Sequence, residues 1–162
     1  MEKIASFTVD HERLLPGVYV SRRDSVANGC VTTFDLRLTA PNREQVLSTG
    51  VCHTIEHLGA TYLRNDPVWA SKTVYFGPMG CRTGFYMLLE GELEPLDVAP
   101  VLREMFAFIA MYDGEIPGAD PVSCGNYSDM DLQGARTAAL RYLRQTLSDL
   151  GAHNTEYPAC RN

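Results

Sequence analysis

Strand, strand and helix follow one another twice along this chain. "VYVSRRDSV" is flanked by the turn pairs Pro16-Gly17 and Asn28-Gly29, and "CVTTFDLRL" then alternates. Phe34, Leu36 and Leu38 fall on one face and Thr33, Asp35 and Arg37 on the other, which predicts two strands. From Thr49 to Asn65 the apolar positions Val51, Ile55, Leu58 and Tyr62 recur at helical spacing, with Thr49 as the expected cap and Asp66-Pro67 as the stop. "KTVYF" and "GFYMLLEG" repeat the strand pair around Gly-Pro-Met-Gly, and Val98, Val101, Met105, Phe108, Ile109 and Tyr112 trace a second amphipathic helix. After a Pro-, Gly- and Asp-rich loop over 113–128, Leu132, Ala135, Ala139, Tyr142, Leu143 and Leu147 predict a third helix over Asp131–Leu150. The expected fold class is α+β: an antiparallel sheet backed by helices, as two β-β-α units plus a C-terminal helix.

Residues 1–162 are expected to form one domain, since 45% apolar residues supply a core without disulfide or metal staples. The tail from Gly151 is expected to be loosely held. A net charge of −6, with no run of lysine or arginine, argues against nucleic acid as a partner. "MEKIASFTVD" lacks the layout of a signal peptide and no stretch has the roughly twenty apolar residues of a span, so a cytoplasmic protein without membrane partners is expected. Five cysteines, at 30, 52, 81, 124 and 160, are odd in number and irregular in spacing, which favours reduced thiols.

The chemistry concentrates in "VCHTIEHL", residues 51 to 58. At roughly 100° per residue, His53, Glu56 and His57 share an arc of a helix, so two imidazoles can meet one metal with a carboxylate beside them. That is the H-x-x-E-H arrangement, in which the glutamate moves a proton rather than binding. A catalytic site needs a third protein ligand and an open position. Cys124, in "PVSCGNY", is the best candidate, with His11, His153 and Cys81 as competitors. Cys52 points about 100° away from His53 and reads as core. A thiolate and two imidazoles suit zinc, iron or cobalt alike. "GPMGCRTG" places Cys81 in a glycine-rich turn beside Arg82, where a cation or metal would populate the thiolate and make it a nucleophile or proton carrier.

Together "SFTVDH", "FDLRL", "HTIEH", "GPMGCRTGFY" and "SCGNYSDMDLQGAR" resemble the LuxS family, the S-ribosylhomocysteine lyases of the bacterial activated-methyl cycle, from about residue 4 to residue 150. The resemblance implies that His53, His57 and Cys124 hold the metal, ferrous iron (Fe2+, one per subunit) replaceable by zinc or cobalt. It makes Glu56 and Cys81 the acid–base pair. Ser6, His11 and Arg37 match positions that contact the ribose, and Arg64 matches another pocket arginine. Read alone, Ser6 is an N-terminal serine, His11 a surface or cap histidine and Arg37 a strand arginine paired with Asp35. Arg64 lies eleven residues after His53, nearly on the same helix face. One position departs from the family: its frequent aspartate in D-I-S-P-M-G-C, which helps hold the homocysteine end, is Tyr75 here.

The implied reaction cleaves the thioether of S-ribosylhomocysteine to homocysteine and 4,5-dihydroxy-2,3-pentanedione, a quorum-sensing signal precursor. The family also implies a homodimer whose active sites lie at the interface. Two rivals share the histidine pair. An inverted H-x-x-E-H metallopeptidase is much larger and usually takes a downstream glutamate as third ligand. A non-catalytic metal protein needs a closed four-ligand site.

Overall fold

In the computed structural model, described over residues 8–27 and 29–158, both strand pairs join one four-stranded antiparallel sheet. Strands β1 (Gly17–Val26), β2 (Gly29–Arg37), β3 (Thr73–Pro78) and β4 (Gly84–Glu90) lie in the order β1-β2-β4-β3. Each hairpin gives its second strand to the centre, and the two units meet where β2 pairs with β4. Helices α1 (Thr49–Asn65), α2 (Pro95–Met111) and α3 (Leu132–Tyr142) follow as the period-3.6 patterns predict.

Register decides what each sheet face carries. Val18, Leu36 and Phe85 stand in line across three strands, as do Val20, Phe34 and Met87. These residues point to one side and form a contiguous core with Ile55 and Leu58 of α1, Leu102 and Phe106 of α2, and Ala139 and Tyr142 of α3. Burying each large apolar side chain contributes roughly 1.5–3 kcal/mol. The next line, Tyr19, Asp35 and Tyr86, points to the other side. Polar alternation suggests a wetted surface there, yet Asp35 and Arg37 are only 2% and 4% exposed.

The C-terminal segment accounts for part of that cover. The loosely held tail expected from Gly151 is not what forms: residues Ala152–Thr155 make a short helix, α4, and Asn154 is buried. Beyond it Tyr157 stacks on Tyr19, with centroids 4.8 Å apart and planes 6° from parallel, and donates from its hydroxyl to Asp35 Oδ2 at 2.9 Å. A polar stretch with one aromatic has no periodicity to announce this docking.

Two other boundaries differ from expectation. Ser48, not Thr49, caps α1, its Oγ accepting the Val51 N–H at 3.2 Å, because the cap oxygen must reach the first free amides and Thr49 is already helical. The third helix does not run unbroken to Leu150. It is α-helical to Tyr142, then widens into a π turn over Leu143–Leu147, and Arg103 of α2 donates to the Leu147 carbonyl at 2.8 Å. Among the described residues no helix is long and apolar enough to cross a membrane.

Candidate metal centre and adjoining cleft

Two donors come from consecutive turns of α1. The rings of His53 and His57 meet edge to face with centroids 4.9 Å apart. His53 Nδ1 donates to Asp129 Oδ1 at 2.9 Å, and His57 Nδ1 donates to the Pro117 carbonyl at 2.7 Å. Both partners accept, so each ring carries its proton on Nδ1 and keeps the Nε2 lone pair for another group. Cys124 Sγ lies 3.3 Å from His53 Nε2, and ligand atoms of His53, His57 and Cys124 all lie within 4.8 Å of one another. Two imidazoles oriented by acceptors and one thiol at that spacing fit a single ion.

The third donor and both acceptors arrive on the loop between α2 and α3. A carboxylate turn sets Cys124: Asp120 Oδ1 accepts the N–H groups of Val122 and Ser123, each at 2.9 Å, and the Asp120 carbonyl accepts the Cys124 N–H at 3.0 Å. Two glycines let this loop reach α1. A Cβ at Gly50 would sit 2.0 Å from the Asp129 carbonyl oxygen, so only glycine admits that backbone beside His53. Gly118 adopts φ +70°, the left-handed region, directly after the carbonyl that fixes His57. Thr54 Oγ1 and the Asp131 N–H, 2.9 Å apart, fasten the loop's end to the helix.

Asp129 and Pro117 are site residues that sequence reading misses. The only signal is an aspartate inside "SCGNYSDMDLQGAR", with nothing to tell it from its neighbour Asp131, and a backbone carbonyl leaves no signal at all. Asp129→Ala is expected to weaken divalent-metal affinity about 10–100-fold, the usual cost of losing an outer hydrogen-bond partner, while the protein stays folded. Competition with a chelator measures this, and unchanged affinity would remove Asp129 from the orienting role.

Glu56 shares a cleft of about 340 Å³ with His53, Asp129, Pro78, Met79 and Arg82. Gly80 also lines it, but Cys81, between Gly80 and Arg82, does not. Its turn is held by the Arg82 N–H donating to Met79 at 2.8 Å and the Leu47 N–H donating to Arg82 at 3.0 Å, with Arg82 at φ 58°. Cys81 Sγ instead lies 3.1 Å from Thr83 Oγ1 and 3.9 Å from Arg37 Nη1. Burial pushes this thiol up, but hydrogen bonds from the Thr83 hydroxyl and N–H, with the Arg37 guanidinium, outweigh it and hold the thiol below the usual cysteine range. Cys52 behaves oppositely: it is buried, and desolvation pushes it up to about 11, as befits a core thiol.

Arg37 is paired with Asp35, Nε to Oδ1 at 3.0 Å, and its Nη1 also donates to Thr83 Oγ1. His11 is half-buried on the Asp35 side, donating from Nδ1 to the Val9 carbonyl at 2.9 Å. Arg64 is exposed and donates to the Val74 carbonyl on β3 at 3.1 Å. Tyr75 is 46% exposed on the same strand and does not line the cleft, its phenol pushed up by burial and then by Glu56. Ser6 lies outside the described residues.

Fold and site together define a class: a small α+β protein in which two imidazoles and a thiol stand close enough to hold one metal ion, with a carboxylate in the adjoining cleft and another thiol across a turn. The profile of the family described as S-Ribosylhomocysteinase (LuxS) matches residues 4–153. A protein named S-ribosylhomocysteine lyase from Desulfotalea psychrophila is 52% identical over 159 residues, covering 98% of this chain and 100% of its own. One of the same name from Clostridium acetobutylicum is 61% identical over 132 residues, 82% of this chain and 84% of its own. Another from Borreliella afzelii is 48% identical over 158 residues, 98% and 100% of the two chains. The chain belongs to the S-ribosylhomocysteinase (LuxS) family.

Proposed function

We propose that this chain is a metal-dependent lyase that cleaves the thioether of S-ribosylhomocysteine to homocysteine and 4,5-dihydroxy-2,3-pentanedione, working as one catalytic domain over residues 1–162. The observation that carries this reading is the convergence of His53, His57 and Cys124 beside Glu56 in a chain of this family. A ferrous ion held by those three residues supplies Lewis-acid stabilisation of negative charge on the sugar oxygens, and zinc or cobalt serves the same purpose.

The chain's own residues move the protons. Cleavage of the thioether by β-elimination to the dione requires the sugar carbonyl to migrate, by removal of a proton from the carbon next to it and return of one to the old carbonyl carbon. Once the carbon–sulfur bond lies β to the carbonyl, removing the α-proton expels the thiolate, which takes a proton to become homocysteine. Glu56, at the cleft, and Cys81, its thiol held down by Thr83 and Arg37 against the effect of burial, are the two groups suited to these transfers. Ser6, His11, Arg37 and Arg64 are assigned to holding the ribosyl portion.

The homodimer with active sites at the interface is assigned on the family resemblance. Cys81 and His11 lie on the Arg37–Asp35 side, Glu56, His53 and His57 lie on α1 with Cys124 on the loop between α2 and α3, and among the described residues no hydrogen bond joins Cys81 to Glu56. The proposed setting is the cytoplasm, where the dione feeds quorum-sensing signal synthesis.

The test is the sugar product. An aromatic ortho-diamine added after turnover should trap a vicinal dicarbonyl in the same amount as the homocysteine released. Free ribose in place of the dicarbonyl would mean hydrolysis, and the carbonyl-migration route would be withdrawn.

A further inference from the structure

We propose that Tyr157, in the C-terminal segment, is a positioning residue for Cys81, acting through Asp35 and Arg37; this rests on the reading of Cys81 as a proton carrier. Five residue pairs in contact make the chain. The Tyr157 hydroxyl donates to Asp35 Oδ2 at 2.9 Å, Asp35 holds Arg37 through Nε and Nη2, and Arg37 Nη1 donates to Thr83 Oγ1 and reaches Cys81 Sγ at 3.9 Å. Thr83 Oγ1 closes the chain 3.1 Å from the same sulfur. None of the middle members has solvent as an alternative partner: Asp35, Arg37 and Thr83 are 2%, 4% and 4% exposed.

Buried charge makes the end of this chain matter. Burial drives the Asp35 carboxyl upward, and Arg37, then Tyr157 and His11, draw it back. Asp35 Oδ2 is shared by Arg37 Nη2 and the Tyr157 hydroxyl. Without the phenol the carboxylate is answered by Arg37 and, with no hydrogen bond, by His11, and this draws the guanidinium toward Asp35 and spends more of its charge there. Both effects leave less positive charge at Cys81, so its thiolate becomes harder to form. The ring itself is held separately, flat against Tyr19, so the hydroxyl can be removed without undocking the segment.

The other titratable groups around Cys81 are Tyr86 on β4 and Cys52 on α1, with Arg82 beside it in the turn. Burial, the leading cause in each, pushes Tyr86 and Cys52 up, so neither changes charge in a neutral assay. Arg37 on β2 is therefore the charged neighbour whose placement the tail controls, and Asp35, His11 and Tyr157 are the groups behind it.

The experiment is alkylation of Cys81 by iodoacetamide in metal-loaded full-length protein across a pH series, followed by mass spectrometry of the Cys81 peptide. Tyr157→Phe is expected to move the midpoint upward by about half to one pH unit and to slow alkylation at neutral pH about three- to tenfold. Tyr157→Ala, which also loses the stack on Tyr19, should do at least as much. A midpoint and rate within twofold of the parent protein in Tyr157→Phe, or a downward shift, would overturn the proposal. Homocysteine release measured alongside separates the two ideas. A shifted midpoint with unchanged turnover leaves the positioning role standing and removes Cys81 from the chemistry, while unshifted alkylation with impaired turnover does the reverse.

Discussion

Cys124→Ala is expected to give a folded protein that no longer retains a stoichiometric divalent metal and releases no measurable homocysteine. The fold should survive because Cys124 sits in a half-buried loop that lies outside the apolar core, and the loop is fixed by backbone and Asp120 contacts that alanine keeps. The metal should not, because among the described residues the close donor group is then reduced to two imidazoles on adjacent turns. The loss of affinity should exceed the roughly 10–100-fold expected when an outer partner such as Asp129 is removed. Elemental analysis and chelator competition measure both. Unchanged stoichiometry and affinity would show that the third ligand is elsewhere.

The second large effect is expected from the proton-moving pair. Cys81→Ala and Glu56→Gln should each lower kcat by about two to four orders of magnitude, the usual contribution of a positioned acid–base group, while metal content stays that of the parent protein. Retained metal is the discriminating feature, since Glu56 is one residue from His57 and a disturbed helix would lose both. Near-normal thiol release by Cys81→Ala would end its proposed role as proton carrier.

Much of this site is legible in the sequence because helical and strand periods are geometric. His53, Glu56 and His57 fall on one face of α1 whatever surrounds them, and the alternation of "CVTTFDLRL" sends Phe34 and Leu36 to one side and Asp35 and Arg37 to the other. Cys124 could be ranked first among candidate donors on residue type, but what brings it to His53 is the Asp120 turn and the bare backbone of Gly50, which are tertiary facts. The acceptors that orient the imidazoles were hidden for different reasons: Asp129 looks like any loop aspartate, and the Pro117 carbonyl has no side-chain identity. Tyr157 was hidden most completely. Its partner Asp35 is 122 positions away, and only the closed sheet face shows that a polar tail has a buried carboxylate to dock on.

Arg37 shows how a local reading and a functional one coexist. The strand pairing with Asp35 that the sequence suggests does form, and the same guanidinium still has Nη1 free to face Thr83 and Cys81. Breaking such a buried pair typically costs about 3–5 kcal/mol, so substitutions at Arg37 will mix stability with chemistry. The thiol at Cys81 is the cleaner handle.

The most direct test of the central claim is anaerobic incubation of the iron-loaded protein with S-ribosylhomocysteine, followed by a free-thiol assay. Homocysteine should accumulate over many turnovers, stop when the metal is removed with a chelator, and resume when ferrous iron is restored. Protein with a full complement of metal that releases no thiol from this substrate would contradict the account.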